Sequence, residues 1–171
     1  MPGELYIIDL NLLNWETEEH DIRLERDYFE KHPEDGRFIN WEIFGDIVNP
    51  MDVPEKLRKS MALDLRKWQH DKEVSRIPEL HDWISTKNAQ TNRTVAYYIH
   101  CEAGKDRTGE ISGSYEMQYM NWTYEQSVTV DYKIAGRPIR ELSLHALNWY
   151  CWFLSYSRGF PMDCAYKPPK K

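Results

Sequence analysis

Apolar positions along the chain fall into short runs and helical stripes, punctuated by turn residues. Leu5-Tyr-Ile-Ile-Asp9 is a compact apolar run and predicts a first strand. Residues 16–31 are dense in charge, with Ile22, Leu24, Tyr28 and Phe29 as the apolar minority. They predict a surface helix ending near His32-Pro33, where proline cannot continue the ladder. After the Asp35-Gly36 turn, Phe38, Ile39, Trp41, Ile43 and Phe44 predict a strand over 38–44. Gly45 to Asp52 reads as a loop. Asp52 can then cap a helix with Pro54 in its first turn, on which Leu57, Met61, Leu65 and Trp68 form one face running to about 69.

A second helix starts near Ser75 and Pro78 and carries Leu80, Trp83 and Ile84. Val95-Ala-Tyr-Tyr-Ile99 suits a buried strand, with His100 and Cys101 coming directly off its end. Helical patterns follow at about 108–120, 123–133 and 141–156, with a break at Gly136-Arg-Pro-Ile139, and the tail from Arg158 reads as loose. The expected fold is α/β: one domain over 1–171 with a small central sheet flanked by helices.

Composition narrows the classes. At 41% hydrophobic and 13% aromatic residues, the 171-residue chain is that of a globular domain able to bury a core. No apolar run approaches the ~20 residues of a membrane-spanning helix, and no signal peptide is visible. The formal charge of −6 and the lack of a basic stripe argue against nucleic acid as a partner, so any phosphate affinity must come from a local site. Three cysteines with no Cys-x-x-Cys pair argue against a disulfide framework and a structural zinc. A reducing, cytoplasmic compartment is expected on this ground. Cys151 reads as a core thiol on an apolar helical face, and Cys164 as a tail residue without a partner.

The candidate chemistry lies in His100-Cys-Glu-Ala-Gly-Lys-Asp-Arg-Thr-Gly109. A short loop from a strand end at Cys101 to a helix start at Arg107 lets backbone N–H groups converge on one anion, assisted by the helix N-terminus. Glu102, Ala103, Gly104, Lys105, Asp106 and Arg107 would form this phosphate cradle, with Gly104 allowing the turn and Arg107 supplying a planar fork. The field that holds a phosphate also stabilises a thiolate, so Cys101 is the expected nucleophile. His100 would support the loop by hydrogen bonding, and Thr108 would donate its hydroxyl to the sulfur. No metal or cofactor is called for, because Arg107 and the amides supply the positive charge.

This segment resembles the signature of the protein tyrosine phosphatase superfamily, closest to its dual-specificity and phosphoinositide-phosphatase branches. Met120 to Ile139, leading into Arg137-Pro-Ile139, looks like the stretch that follows that signature. Phe44-Gly-Asp-Ile-Val-Asn-Pro50 looks like the family's mobile general-acid loop, with an aspartate four residues before a proline. The resemblance covers about 38–156 and leaves 1–35 unplaced. It implies a small sheet with helices on both sides, and hydrolysis of phosphomonoesters through a phosphocysteine.

A leaving oxygen needs a proton, and Asp46, Asp52, Asp64, Asp71 and Asp82 precede the loop. Asp46 follows the expected strand and is preferred on topology; Asp71 stands at the family's usual separation from the cysteine and is the alternative. Asp52 suits a cap, and Asp64 and Asp82 solvated helix faces. Lys105 resembles the loop lysine of inositol-phosphate phosphatases, whereas Glu102 pulls the other way. Phosphotyrosine or mixed phosphoprotein substrates are expected first, and inositol phosphates or phosphoinositides second. A phosphate-binding module without turnover, or sulfur chemistry of the arsenate-reductase or rhodanese type, are the competing classes.

Overall fold

The computed structural model describes residues 5–86 and 93–167. Strand β1 (Leu5–Asn11) is the middle of a three-stranded parallel sheet, between β2 (Gly36–Asn40) and β3 (Thr94–His100). Asn11 pairs with both Asn40 and His100, so the three strands end flush. The end of β1 is buried from Ile8 to Asn11, which is where the sheet is covered most fully. From β1 the chain moves to one side for β2 and then crosses to the other for β3. That order places a topological switch point at the carboxyl ends of β1 and β3, the usual location of a ligand crevice in a parallel sheet.

Helix α1 (Trp15–Lys31) connects β1 to β2, and α2 (Glu55–Leu63), α3 (Leu65–Trp68) and α4 (Glu73–Ser85) connect β2 to β3. Right-handed crossovers running in opposite directions lie on opposite faces of a sheet. Helices α5 (Asp106–Tyr119), α6 (Tyr124–Ala135) and α7 (Glu141–Arg158) follow. Helix α7 packs against α2 and α5 and carries the largest buried side chains, Trp149 and Tyr150. A core of this kind accounts for an α/β fold with a small sheet, as the periodicities indicated.

Four local expectations are corrected. The second strand stops at Asn40, not Phe44: the Trp41 amide makes the last bond to β1, at the Asn11 carbonyl, and the Phe44 and Gly45 amides turn to the Asp71 carboxylate. The helix expected to run to about 69 breaks at Asp64 (φ −94°, ψ 10°), after which the Trp68 indole donates back to the Met61 carbonyl at 2.8 Å. Asp52 caps no helix. It sits in a 3₁₀ turn over Pro50–Asp52 that Asn49 caps, and Pro54 occupies the N-cap position of α2.

The fourth correction concerns the tail. Gly159, in the left-handed region (φ 70°), ends α7 and turns the chain back. Cys164 is thereby buried and bonded to Cys151 in a disulfide with Cα atoms 5.7 Å apart, and the Asn148 amide donates to the Cys164 carbonyl at 2.7 Å. The tail up to Lys167 is therefore partly tied to the core, and the odd cysteine count no longer argues for a reducing compartment. Among the described residues, no helix is long and apolar enough to cross a membrane.

Candidate active site

Cys101 leaves β3 at the switch point and is 6% exposed; it is the one free cysteine. The loop to α5 turns at Gly104, whose φ of +63° is a conformation that side chains rarely adopt. Burial alone would push the Cys101 thiol up. It is outweighed by the Thr108 hydroxyl, 3.2 Å from the sulfur, and by the backbone amides of Thr108, Lys105 and Ala103, so the thiol lies below its ordinary value. The amides thus converge on the sulfur as the loop length required, and Thr108 donates to it as expected.

Arg107 opens α5 beside the sulfur. Its Nη1 and Nη2 donate to the two Glu18 oxygens at 2.6 and 2.8 Å, and Nη1 donates again to the Leu12 carbonyl at 3.3 Å. Glu18 reaches this position because its own backbone leaves helical geometry inside α1 (φ −130°, ψ 25°). The pairing with Arg107 holds the Glu18 carboxyl below its ordinary value despite partial burial. A guanidinium has five N–H bonds; three go to Glu18 and the Leu12 carbonyl, and Arg107 also hydrogen-bonds the Cys101 side chain.

Asp106 has the reciprocal arrangement with Arg137, from the α6–α7 connection. Both Arg137 terminal nitrogens donate to its oxygens at 2.7 Å, and the Arg140 amide donates at 2.8 Å. These bonds overcome burial and lower the Asp106 carboxyl. Asp106 is thus an ionised anchor for the loop and poorly suited to proton donation. His100 hydrogen-bonds the Cys101 backbone, as expected of a support for the loop, while its Nε2 lies 2.9 Å from Asp9 and 3.4 Å from Glu25, and Tyr98 stacks on the ring. Burial would lower His100, but Asp9 foremost and then Glu25 raise it, which favours the imidazolium. The ligand atoms of Asp9, Glu25 and His100 lie within 4.8 Å of one another.

A cavity of about 700 Å³ opens over the sulfur. Cys101, Glu102, Ala103, Asp106 and Arg107 form its floor, Ile43, Phe44 and Leu142 an apolar wall, and Arg137, Arg140 and Glu141 a charged rim beside Leu142. Lys105 is not part of the lining, so the cations beside the cradle are Arg137 and Arg140. Sequence reasoning missed both of them and Glu18. Arg137-Pro-Ile139 reads as a helix break and as part of the stretch resembling the one after the signature, with no role for Arg137 in the site; Glu18 carries no local signal.

Behind the wall lies a second charged region. Asp46, 8% exposed, accepts from Gln69 at 3.1 Å, and its loop is pinned by the Asp46 amide to the Leu142 carbonyl (2.9 Å). Gly45 (φ +76°) lets this loop pass α7, since a Cβ there would stand 2.4 Å from the Leu142 carbonyl carbon. Burial pushes the Asp46 carboxyl up to about 6, with the charge of Asp71 adding to the shift. Asp71, the alternative acid, is wholly buried. It accepts the Phe44 and Gly45 amides at 2.9 and 2.6 Å and so fastens the base of the Asp46 loop. Glu73 accepts from Gln69 and from Ser114, and Glu110 faces Glu73 and Asp71 with no solvent access. Burial raises both well above the ordinary carboxylate range.

Asp46 therefore keeps its proton to higher pH than an ordinary aspartate, but its carboxyl faces Gln69 and not the cavity. Only Ile43 and Phe44, just before it, reach the cavity wall. The chain matches no family model and none of the curated proteins with which it was compared.

Proposed function

We propose that this chain is a cysteine-dependent phosphatase that hydrolyses phosphomonoesters through a phosphocysteine at Cys101. The observation that carries the reading is the convergence of three backbone amides, the Thr108 hydroxyl and the Arg107 guanidinium on one depressed thiol at a strand-to-helix turn. A phosphoryl group seated there has its equatorial oxygens on the amides and Arg107, with phosphorus in line with the sulfur. In the first step the S–P bond forms as the ester P–O bond breaks, and the leaving oxygen takes a proton. In the second, water attacks phosphorus and the thiolate departs, stabilised by Thr108.

Asp46 is the proposed proton donor. Its carboxyl is raised to about 6, and donation requires it to leave Gln69 and the loop to release the Asp46 amide from the Leu142 carbonyl. The ionised Asp106 and the buried Asp71 are less suited to the role. A binding module without turnover would not require a depressed nucleophile under the anion, which favours catalysis. Phosphotyrosine side chains suit the apolar wall of Ile43, Phe44 and Leu142, as the sequence expectation of phosphoprotein substrates requires. Inositol phosphates are a second reading, favoured by Arg137 and Arg140 in the lining.

The direct test is hydrolysis of p-nitrophenyl phosphate by the unmodified chain and by Cys101→Ser. Turnover lost in the variant, with vanadate binding retained, supports the reading. Equal turnover in both proteins removes it.

A further inference from the structure

Three donor groups from three elements meet at the end of the sheet, outside the cavity lining. Asp9 comes from the buried part of β1, Glu25 from α1, and His100 from the last position of β3. One ligand atom of each lies within 4.8 Å of the other two. His100 Nε2 stands 2.9 Å from Asp9 Oδ1 and 3.4 Å from Glu25 Oε2. Ligands about 2.0–2.2 Å from a divalent transition metal lie about 2.9–3.5 Å apart at octahedral or tetrahedral angles. Both spacings to the ring nitrogen therefore already have the size that one shared ion would set.

The trio is also enclosed and held in place. Asp9 is 4% exposed, and the side chains of His100 and Glu25 are 13% and 30% exposed. The Asn11 amide donates to Glu25 Oε2 at 2.5 Å. The ring is fixed by its hydrogen bond to the Cys101 backbone and by the stacked Tyr98. Ligating histidines are oriented in this manner, by a bond from the ring to a backbone or carboxylate group. A single imidazolium balances one of the two carboxylates, whereas a divalent cation beside a neutral ring balances both. His32, Glu34 and Asp35 bring ligand atoms equally close, but His32 and Glu34 are exposed in the turn before β2.

We infer that Asp9, Glu25 and His100 bind one divalent transition-metal ion of the zinc class, with water completing its shell. One imidazole nitrogen with two carboxylate oxygens is a borderline donor set, which takes zinc in preference to calcium or magnesium. The ion is a clip and takes no part in the chemistry at Cys101. Glu25 and Glu18 stand on the same helix, and Glu18 clamps Arg107. An ion at the trio thus ties to β1 and β3 the helix that braces the cradle. The site does not rest on the phosphatase reading and stands or falls apart from it.

The test is calorimetric titration of the metal-stripped full chain with ZnCl₂, in a Cys101→Ser background so that no thiolate competes for the ion. One Zn²⁺ per chain is expected. Glu25→Gln and Asp9→Asn, each nearly isosteric, should weaken binding by about 10²-fold, at least the loss that outer-shell changes cause. His100→Gln should weaken it as much or more. Zn²⁺ should also raise the thermal midpoint of the Cys101→Ser chain, and that rise should vanish with Glu25→Gln added. Should the buried Asp9→Asn variant fail to fold, the part-exposed Glu25→Gln decides alone. No saturable one-to-one binding overturns the site, as does affinity unchanged by Glu25→Gln. Loss of the ion on His32→Gln would assign it to the turn before β2, and binding seen only with Cys101 intact would assign it to the thiolate. Either result overturns the inference.

Discussion

The loop cradle and the carboxylate cluster behind it are built from the same acidic residue types, yet their surroundings shift the carboxyl pKa values in opposite directions. At the cradle two carboxylates meet a guanidinium, Glu18 with Arg107 and Asp106 with Arg137, and both are lowered. In the cluster Asp46, Asp71, Glu73 and Glu110 meet chiefly amides, hydroxyls and one another, and all are raised by burial. One thin wall, Ile43 to Gly45, separates a region that holds negative charge from one that holds protons. A phosphoryl transfer needs both, a place for an anion and a source for a proton, and the two demands are met by pairing on one side and desolvation on the other.

The largest effect should come from emptying the cradle. Replacing Cys101 by Ser should bring turnover of any phosphomonoester to background, and Arg107→Lys should lower kcat by roughly 10²–10³-fold, as expected for loss of one fixed transition-state donor set. Steady-state assays read both, and an Arg107→Lys variant near full activity would break the account of the fork. Next comes the proton source. Asp46→Asn should reduce kcat by roughly 10²–10⁴-fold for alkyl phosphates and much less for p-nitrophenyl phosphate, whose leaving group needs no proton. In the parent, kcat/KM should fall as pH rises through about 6, where Asp46 ionises, and that limb should vanish in the variant. An unchanged profile, with the limb instead lost in Asp71→Asn, would move the acid to Asp71.

Glu18→Gln removes the clamp without touching the cradle itself. Arg107 should lose its fixed pose, and kcat/KM should fall up to ~10²-fold with Cys101 still reactive to iodoacetamide. An activity within twofold of the parent would show that the arginine needs no such brace.

How much of this was legible beforehand follows from sequence distance. The cradle is local: strand, short loop and helix lie between Thr94 and Tyr119, so periodicity and residue spacing bring Cys101 and Arg107 together on paper. Thr108, adjoining that loop, was legible for the same reason. Glu18 stands 89 residues from Arg107 and depends on a kink in α1, which no charge pattern in a highly charged helix announces. Asp106 and Arg137 are 31 apart and meet only once α5 and α6 are packed. The second strand was drawn too long because Ile43 and Phe44 are apolar for a different purpose: they form the cavity wall. The disulfide was missed because an odd cysteine count was read as excluding pairing, when one cysteine serves the site and two serve the tail.

The smallest effect, on stability, compares the two regions most evenly. Asp46 and Asp131 at about 6 and Glu116 at about 7 are all raised by burial, so between about pH 4 and 7 the folded chain holds protons that the unfolded chain has released. Stability from these groups is therefore present at low pH and lost as pH rises through 6 and 7. The imidazolium of His100, favoured in the folded chain, acts in the same direction. Glu18 and Asp106 act oppositely: their contribution is present above the ordinary carboxylate range and lost as pH falls through their lowered values. The thermal midpoint should peak in mildly acidic buffer and decline on both sides. Glu110→Gln, which replaces a buried acid by a neutral isostere, should flatten the alkaline side, and a steeper decline in that variant would contradict the assignment of Glu110 as protonated.

The central claim is that Cys101 itself accepts the phosphoryl group, and acid quench of the chain during turnover of p-nitrophenyl phosphate tests it most directly. Intact-mass and peptide analysis should find one phosphoryl group, located on the peptide containing Cys101, and Cys101→Ser should carry none. Steady turnover with no phosphorylated chain at any quench time, or a phosphoryl group on a residue other than Cys101, would contradict the account.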